Sequence, residues 1–304
     1  MNCPVCGNEM SPALAREGLL VHPLCADQHE RELKERNEEL KAQLLEIITW
    51  ADQNSTRSQQ LAIGPSEIGN TCDQRIARTL AALPQVNFRF DPWAGIVGTS
   101  IHSWMQKAVD RYLEHHILEN VNGQTAGLRW VTETRVHADD VISGSSDLYT
   151  GDVVDYKSAA SDKIKKMSLG DTSLIPMNYR VQGHIYGLGN VRAGRNVRDI
   201  VLVFLPRNGL ITNMFIHREP YDELIAFKAL DRMYAIVDQM NELQLPERAA
   251  NWPQIAKDAG PGCWYCPFFK PGTKDDLPDA TGCPGNTDAK TNMEKSLKEW
   301  DGLL

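Results

Sequence analysis

Apolar positions recur at helical spacing from Ala26 to Trp50, where Leu33, Leu40, Leu44 and Ile47 fall on one face and neither Gly nor Pro interrupts. The pattern predicts one long helix. Asn37 lies in the same seam, so the helix suits either a short coiled coil or an arm packed on a main domain. Gln53 to Gln60 is polar and reads as a linker. Beyond it, Gly64-Pro65-Ser66-Glu67 marks a turn into a helix capped by Ser66, with Cys72 in or just after its first turns. A further amphipathic helix is expected from Thr99 to Leu118, carrying Ile101, Trp104, Met105, Ala108, Val109 and Tyr112 at helical spacing.

The period then shortens to two. Leu128 to Val136, Val141 to Tyr149 and Asp152 to Ser158 are consistent with successive antiparallel strands, the last two joined at Thr150-Gly151. A basic, loop-like stretch follows, then a helix from Asn178 to Leu188, strands at Ile200–Leu205 and Leu210–His217, and a long helix from Pro220 to Glu242. Helices on either side of a mixed sheet predict an α/β (α+β) domain starting near Ile63.

Composition narrows the class. In 304 residues, 42% of them hydrophobic, there is enough apolar material for a buried core. No apolar run approaches the roughly 20 residues that cross a bilayer, and the N-terminus lacks a basic and then apolar leader, so no membrane contact and a cytoplasmic location are expected. A net charge of -8 argues against a protein that coats nucleic acid by bulk attraction. Charge is uneven, however: Lys157 to Arg207 holds nine Lys or Arg against three Asp and no Glu, a local net of +6 suited to phosphate.

Candidate chemistry centres on Gly144-Ser-Ser-Asp147 and Asp152-Val-Val-Asp155-Tyr156-Lys157-Ser158. Strand alternation points Asp155 and Lys157 to one face and Val154 and Tyr156 to the other. Across the tight hairpin, Asp147 comes within reach of the same ion, and two carboxylates suit Mg²⁺ or Mn²⁺. Such an ion activates water and neutralises charge developing on phosphorus, while Lys157 orients that water or contacts the phosphate.

These residues resemble the RecB-like branch of the PD-(D/E)xK nuclease superfamily, and within it the CRISPR-associated iron-sulfur exonucleases and their phage-borne relatives. Asp147 after Gly144 matches the family's first acid, Asp155 and Lys157 its D/E-x-K pair, His102 in Gly98-Thr-Ser-Ile-His102 its upstream metal-binding histidine, and Gln182 with Tyr186 its Q-x-x-x-Y. The likeness spans Ile63 to Cys283 and implies a restriction-endonuclease-like mixed sheet flanked by helices. It implies catalytic roles for His102, Asp147, Asp155, Lys157, Gln182 and Tyr186, with Mg²⁺ or Mn²⁺ on the first three. The implied activity is DNA exonuclease action at ends or on single strands. Gln182 and Tyr186, four apart on one helical face, can position phosphate or brace the lysine. Glu133, on the preceding strand where related nucleases often carry an acid, is a lesser candidate that suits the edge of the site or plain surface equally. An endonuclease or nickase with the same chemistry, and a non-catalytic nucleic-acid-binding adaptor, are the alternatives.

Seven cysteines favour metal over a disulfide framework. Cys3-Pro-Val-Cys6 and His22-Pro-Leu-Cys25, fifteen residues apart, supply the four ligands of one Zn²⁺ and so predict a small zinc module over residues 1–25 that engages DNA or a partner protein. His29 is the weaker ligand because it belongs to the next helix. Residues 26–60 form an arm and linker, and 61–304 the nuclease domain. Cys72, Cys263, Cys266 and Cys283 make an all-thiolate set that suits zinc or iron-sulfur by spacing alone; the resemblance implies a structural 4Fe-4S cluster, one cysteine upstream of the catalytic motifs and three downstream. The sixteen residues between Cys266 and Cys283 exceed the family's usual spacing, and Pro271 to Thr281 reads as an inserted loop.

Overall fold

A computed structural model describes residues 8–9, 25–54, 63–87, 92–119, 130–257, 261–273 and 282–285. The chain forms two compact units, residues 1–59 and 60–304. In the first, helix α1 spans Ala26–Gln53, and its seam residues Leu33, Leu40, Leu44 and Ile47 are all exposed. Cys25 caps this helix; Cys3, Cys6 and His22, and with them the expected zinc module, lie outside the described residues.

The second unit opens with α2 (Pro65–Ile68) and α3 (Asp73–Leu80), then the long α4 (Trp93–Glu119). Gly64, not Ser66, caps α2, because Pro65 takes the first helical position where its missing N–H costs nothing. Cys72 instead caps α3. Strands β1 (Val131–His137), β2 (Ser143–Tyr149) and β3 (Val153–Ala159) follow, with Gly151 at φ +95° in the turn between the last two. Helices α5 (Ser161–Ser168) and α6 (Met177–Arg192) lead to β4 (Asp199–Pro206), β5 (Phe215–Pro220) and α7 (Glu223–Glu242).

The five strands lie in sequence order. β1–β2, β2–β3 and β4–β5 are antiparallel, while β3 and β4 run parallel, with Asp155 opposite Leu202 and Lys157 opposite Phe204. A parallel pair needs a crossover, and α5 with α6 provide it. The result is the mixed sheet flanked by helices that the hydrophobic pattern predicts. Ile101, Met105 and Val109 of α4 pack on Leu148, Val154, Tyr156, Val201 and Leu205. On the opposite face, Tyr186 of α6 packs with Val153 and Ile200, and α5 adds Ile164 and Met167 against Leu202 and Phe204. Behind α6, Ile185 and Leu188 join Leu230 and Met233 of α7 and the buried Trp252.

Three expectations change. The basic stretch after β3 is not simply a loop, since α5 occupies part of it. α4 begins at Trp93 rather than Thr99, running through Gly95 and Gly98. The last strand starts at Phe215, because Leu210 and Ile211 are exposed and Ile211–Asn213 is a short 3-10 turn.

Close approach of α6 to the sheet rests on glycine. A Cβ at Gly183 would stand 2.3 Å from Cγ2 of the fully buried Ile200. Gly183→Ala is therefore expected to destabilise by about 1–3 kcal/mol through overpacking, which outweighs its gain in helix propensity. Gly95→Ala in α4 meets open space and should raise the melting temperature. Thermal melts of the two variants check the contrast.

Candidate active site

Regular pairing of β2 with β3 is confined to Tyr149↔Val153 and Leu148↔Val154. At the next position the strands part, and the Asp147 side chain fills the gap: its Oδ2 accepts a 2.7 Å hydrogen bond from the Tyr156 backbone N–H. This orients the carboxylate, whose Oδ1 lies 3.1 Å from Nδ1 of His102 on α4. The imidazole edge meets the Tyr156 ring at 6.1 Å. Burial favours neutral His102, but the Asp147 hydrogen bond and the charges of Asp147 and Asp155 prevail, so its pKa rises above the ordinary 6.5.

Asp155 and Lys157 share a face, as strand alternation requires, and Lys157 Nζ lies 2.6 Å from Asp155 Oδ2. Asp155 is 1% exposed. Burial raises its pKa well above the carboxylate range; Lys157 opposes this and the Asp147 charge adds to it. At Oδ2 the Lys157 ammonium is the close polar neighbour, met as an ion pair. A buried carboxylate with a single close cation keeps lone pairs that suit a second one.

Lys157 is held on three sides. Besides Asp155 it donates a 2.8 Å hydrogen bond to Gln182 Oε1, and its ammonium sits 4.5 Å from the centre of the Tyr179 ring. Gln182 Nε2 in turn donates to the Tyr186 hydroxyl at 3.1 Å. Burial, then the Asp155 charge, pushes the Tyr186 pKa upward, so the phenol keeps its proton. Gly144 makes room for this ring, since a Cβ there would lie 3.0 Å from Tyr186 Cε1 and from Pro65. Of the two uses that the helical spacing allows, the geometry shows Gln182 bracing the lysine.

Glu133 stands across from Asp147, between the paired Thr132↔Leu148 and Thr134↔Ser146. It is a non-glycine residue at φ +44°, a strained conformation of a kind that clusters at functional sites. Partial burial and then the Asp147 charge raise its carboxyl pKa, while His102 lowers it. Its carboxyl thus lies in the field of the same residues. Tyr179 was not singled out by sequence; its position three before Gln182 on one helical face is the signal that would have found it.

The donor set, two carboxylates and an imidazole, matches the chemistry of Mg²⁺ or Mn²⁺, and the remaining lone pairs of the buried Asp155 carboxylate fit it. The three groups do not yet close on one point. Asp147 engages His102 and Asp155 engages Lys157, and among the described residues no three His, Cys, Asp or Glu side chains are gathered tightly enough to hold an ion.

The orientation of α6 depends on a second buried network. His184 Nδ1 accepts the Asp222 N–H at 3.2 Å and Nε2 donates to Glu219 Oε1 at 3.1 Å, an arrangement that requires neutral imidazole. Burial lowers the His184 pKa despite Glu219. Glu219 is itself held below its ordinary value; burial alone would raise it, but its bond to Arg180, at 2.8 Å, and the Arg180 charge prevail. Both shifts favour the folded state above the ordinary pKa values of 6.5 and 4.5 and are lost as pH falls. The raised pKa values of Asp155, Glu133 and His102 act in the opposite direction, so the expected result is a difference: between pH 7 and pH 4 wild type should lose more melting temperature, or gain less, than His184→Gln, and equal slopes in calorimetric scans would remove this network as a contributor.

Away from this site, Cys72, Cys263, Cys266 and Cys283 line one cavity of about 100 Å³ together with Arg75 and Lys257. Burial raises the Cys266 thiol pKa, and the nearby Cys72 and Cys263 add to the rise while Arg75 opposes it. Cys283 reaches the cavity through a bridge to Phe269, its N–H donating to Phe268 O at 2.6 Å, and its thiol lies 2.8 Å from Gln74 Oε1. Four sulfur donors beside two cations suit the negative charge of an all-thiolate site. They too remain short of a closed metal site.

No family model matches the sequence, and no curated protein sequence matches significantly. Among solved structures, the chain is similar to an alkaline exonuclease (LHK-Exo) from Laribacter hongkongensis at 11% identity and TM-score 0.38, covering 61% of this chain and 91% of that one. The same enzyme in complex with dAMP gives 12% identity, TM-score 0.38, and coverage of 61% and 90%. At this distance the likeness transfers no residue roles. Among the described residues no helix is long and apolar enough to cross a membrane.

Proposed function

We propose that the chain is a divalent-metal-dependent deoxyribonuclease of the RecB-like PD-(D/E)xK type, acting as an exonuclease on DNA ends or single strands. The observation that carries this reading is the meeting, where β2 and β3 part, of two neighbouring polar pairs, His102 with Asp147 and Lys157 with Asp155, each within the electrostatic field of the other. His102, Asp147 and Asp155 would hold Mg²⁺ or Mn²⁺, with Glu133 at the edge of the site. When bound, such an ion supplies an activated water and positive charge for the phosphoryl oxygens. The Tyr156 N–H fixes the Asp147 carboxylate. Asp155, Gln182 and Tyr179 fix the Lys157 ammonium, which is thereby preorganised to orient water or meet charge developing on the phosphate. Tyr186, protonated and hydrogen-bonded to Gln182, holds the amide in the orientation that Lys157 requires.

In the same proposal Cys72, Cys263, Cys266 and Cys283 bind a structural 4Fe-4S cluster, and Cys3, Cys6, His22 and Cys25 a zinc ion in a module that engages DNA or a partner protein. Purified protein with Mg²⁺ or Mn²⁺ should shorten linear single-stranded DNA progressively while sparing a circular single strand. Efficient cutting of the circle would make it an endonuclease. Tight DNA binding without cleavage in either metal would make it an adaptor.

A further inference from the structure

The helix that carries His102 bears a second feature that the proposed chemistry does not use. Trp93 and Trp104 lie eleven residues apart on α4, so they share one face about 16 Å apart along the axis. They are 57% and 67% exposed. Between this face and the end of β4 runs a groove of about 350 Å³, walled by Val97, Leu205, Pro206 and Ile211, within the roughly 300–1,000 Å³ of ligand-binding clefts. Two large exposed indoles on one rigid helix are costly to leave in water, and their faces are the natural platform for planar rings.

Position and charge indicate which rings. Leu205 and Pro206 pair with Ser158 and Ala159, the residues immediately after Lys157, and Ile101 in the groove immediately precedes His102. The groove thus shares its helix and its strand ends with the proposed active site, although it lies on the α4 face of the sheet and Asp155 and Lys157 point to the other, so a bound chain would pass around the strand ends. At the Pro206 end stands Arg207, pinned by a 2.9 Å hydrogen bond from its N–H to Ala159 O. Lys163, on α5, lies within the electrostatic reach of Arg207. Neither cation has a carboxylate partner among the described residues, and both belong to the basic stretch from Lys157 to Arg207. An aromatic floor with cations beyond its Pro206 end matches a chain of alternating bases and phosphates, whereas an apolar peptide segment would leave the cations unanswered.

We infer that this groove is the binding track for single-stranded DNA, with bases stacked on Trp93 and Trp104 and phosphates drawn to Lys163 and Arg207. The inference rests on the nuclease reading for its orientation toward the active site, and on the groove's own residues for binding.

Binding of the full chain to fluorescein-labelled oligothymidylate, without added divalent cation, tests it independently of cleavage. An abasic sugar–phosphate chain of equal length is the control. Oligothymidylate should quench the intrinsic tryptophan fluorescence. Trp104→Ala, at an exposed position, should weaken Kd for oligothymidylate by roughly 5- to 150-fold, the range for loss of one base stack, and leave the abasic chain's Kd unchanged. Trp104→Phe should recover most of the loss. Lys163→Ala with Arg207→Ala should weaken both ligands alike and flatten the salt dependence. Unchanged Kd in Trp93→Ala and Trp104→Ala, or equal losses on the abasic chain, would overturn the track while leaving the cleavage chemistry untouched. Conversely, a Trp104-dependent Kd in a protein that cleaves nothing would sustain the track and remove the nuclease reading.

Discussion

Asp155→Ala is expected to lower the single-turnover cleavage rate by at least about 10²- to 10³-fold, the cost typical of removing one preorganised electrostatic group from an active site. The expected loss exceeds that from any change in DNA contact because Asp155 has two tasks: it offers a buried carboxylate with lone pairs for an ion, and it anchors the Lys157 ammonium at 2.6 Å. Stability should respond as it does when one member of a buried ion pair is removed. Removing Asp155 alone leaves a largely buried lysine without its countercharge, which costs on the order of 3–5 kcal/mol for buried pairs. Removing Lys157 as well should restore much of that stability without restoring turnover. Circular-dichroism melts and cleavage assays on Asp155→Ala, Lys157→Ala and the double variant check this. Activity within twofold of wild type in the single variants would dismiss the site.

Loss of the cysteine site should have the largest effect on stability. Cys72 and Cys263 are 191 positions apart in sequence, so a cluster bridging them closes a long loop and constrains the unfolded chain. By analogy with a cross-link over a long loop, the gain is on the order of 5 kcal/mol, or roughly 10–20 °C in melting temperature. Anaerobically purified protein is expected to hold about four Fe and about one Zn per chain. Cys266→Ser and Cys283→Ser should each lose iron, absorbance in the visible and thermal stability together, whereas Cys3→Ser should lose only zinc. Two Zn and no Fe would make the four-thiolate site a zinc staple, and full iron with an unchanged melt in Cys283→Ser would remove that residue from it.

The parts legible in sequence were those governed by local periodicity. Alternation in Val153 to Ser158 placed Asp155 and Lys157 together, and the four-residue step from Gln182 to Tyr186 placed amide and phenol on one face of α6; both contacts are present. Tertiary effects were not legible in this way. α5 has only eight residues and two buried apolar positions, Ile164 and Met167, too short a stretch for periodicity to stand out from its lysines. Gly95 and Gly98 obscured the start of α4, where helix continuation depends on what packs beside it. Leu210 and Ile211 resemble strand residues by composition, yet they are exposed, and composition carries no information on which side of a turn meets the core. The positive φ of Glu133 arises where β1 passes Asp147, a conformation set by pairing across strands. The gathering of four distant cysteines around one cavity depends on the return of the chain past Phe269, which spacing alone does not disclose.

Divalent-dependent phosphodiester hydrolysis at this site is tested most directly by single-turnover cleavage of an end-labelled DNA strand under saturating Mn²⁺, with DNA binding measured on the same samples. Wild type, Asp147→Ala and Lys157→Ala should bind the strand with similar Kd, while only wild type releases nucleotides at an appreciable rate and only when the cation is present. Cleavage by Asp147→Ala at the wild-type rate, or cleavage by wild type that persists under exhaustive chelation, would contradict it.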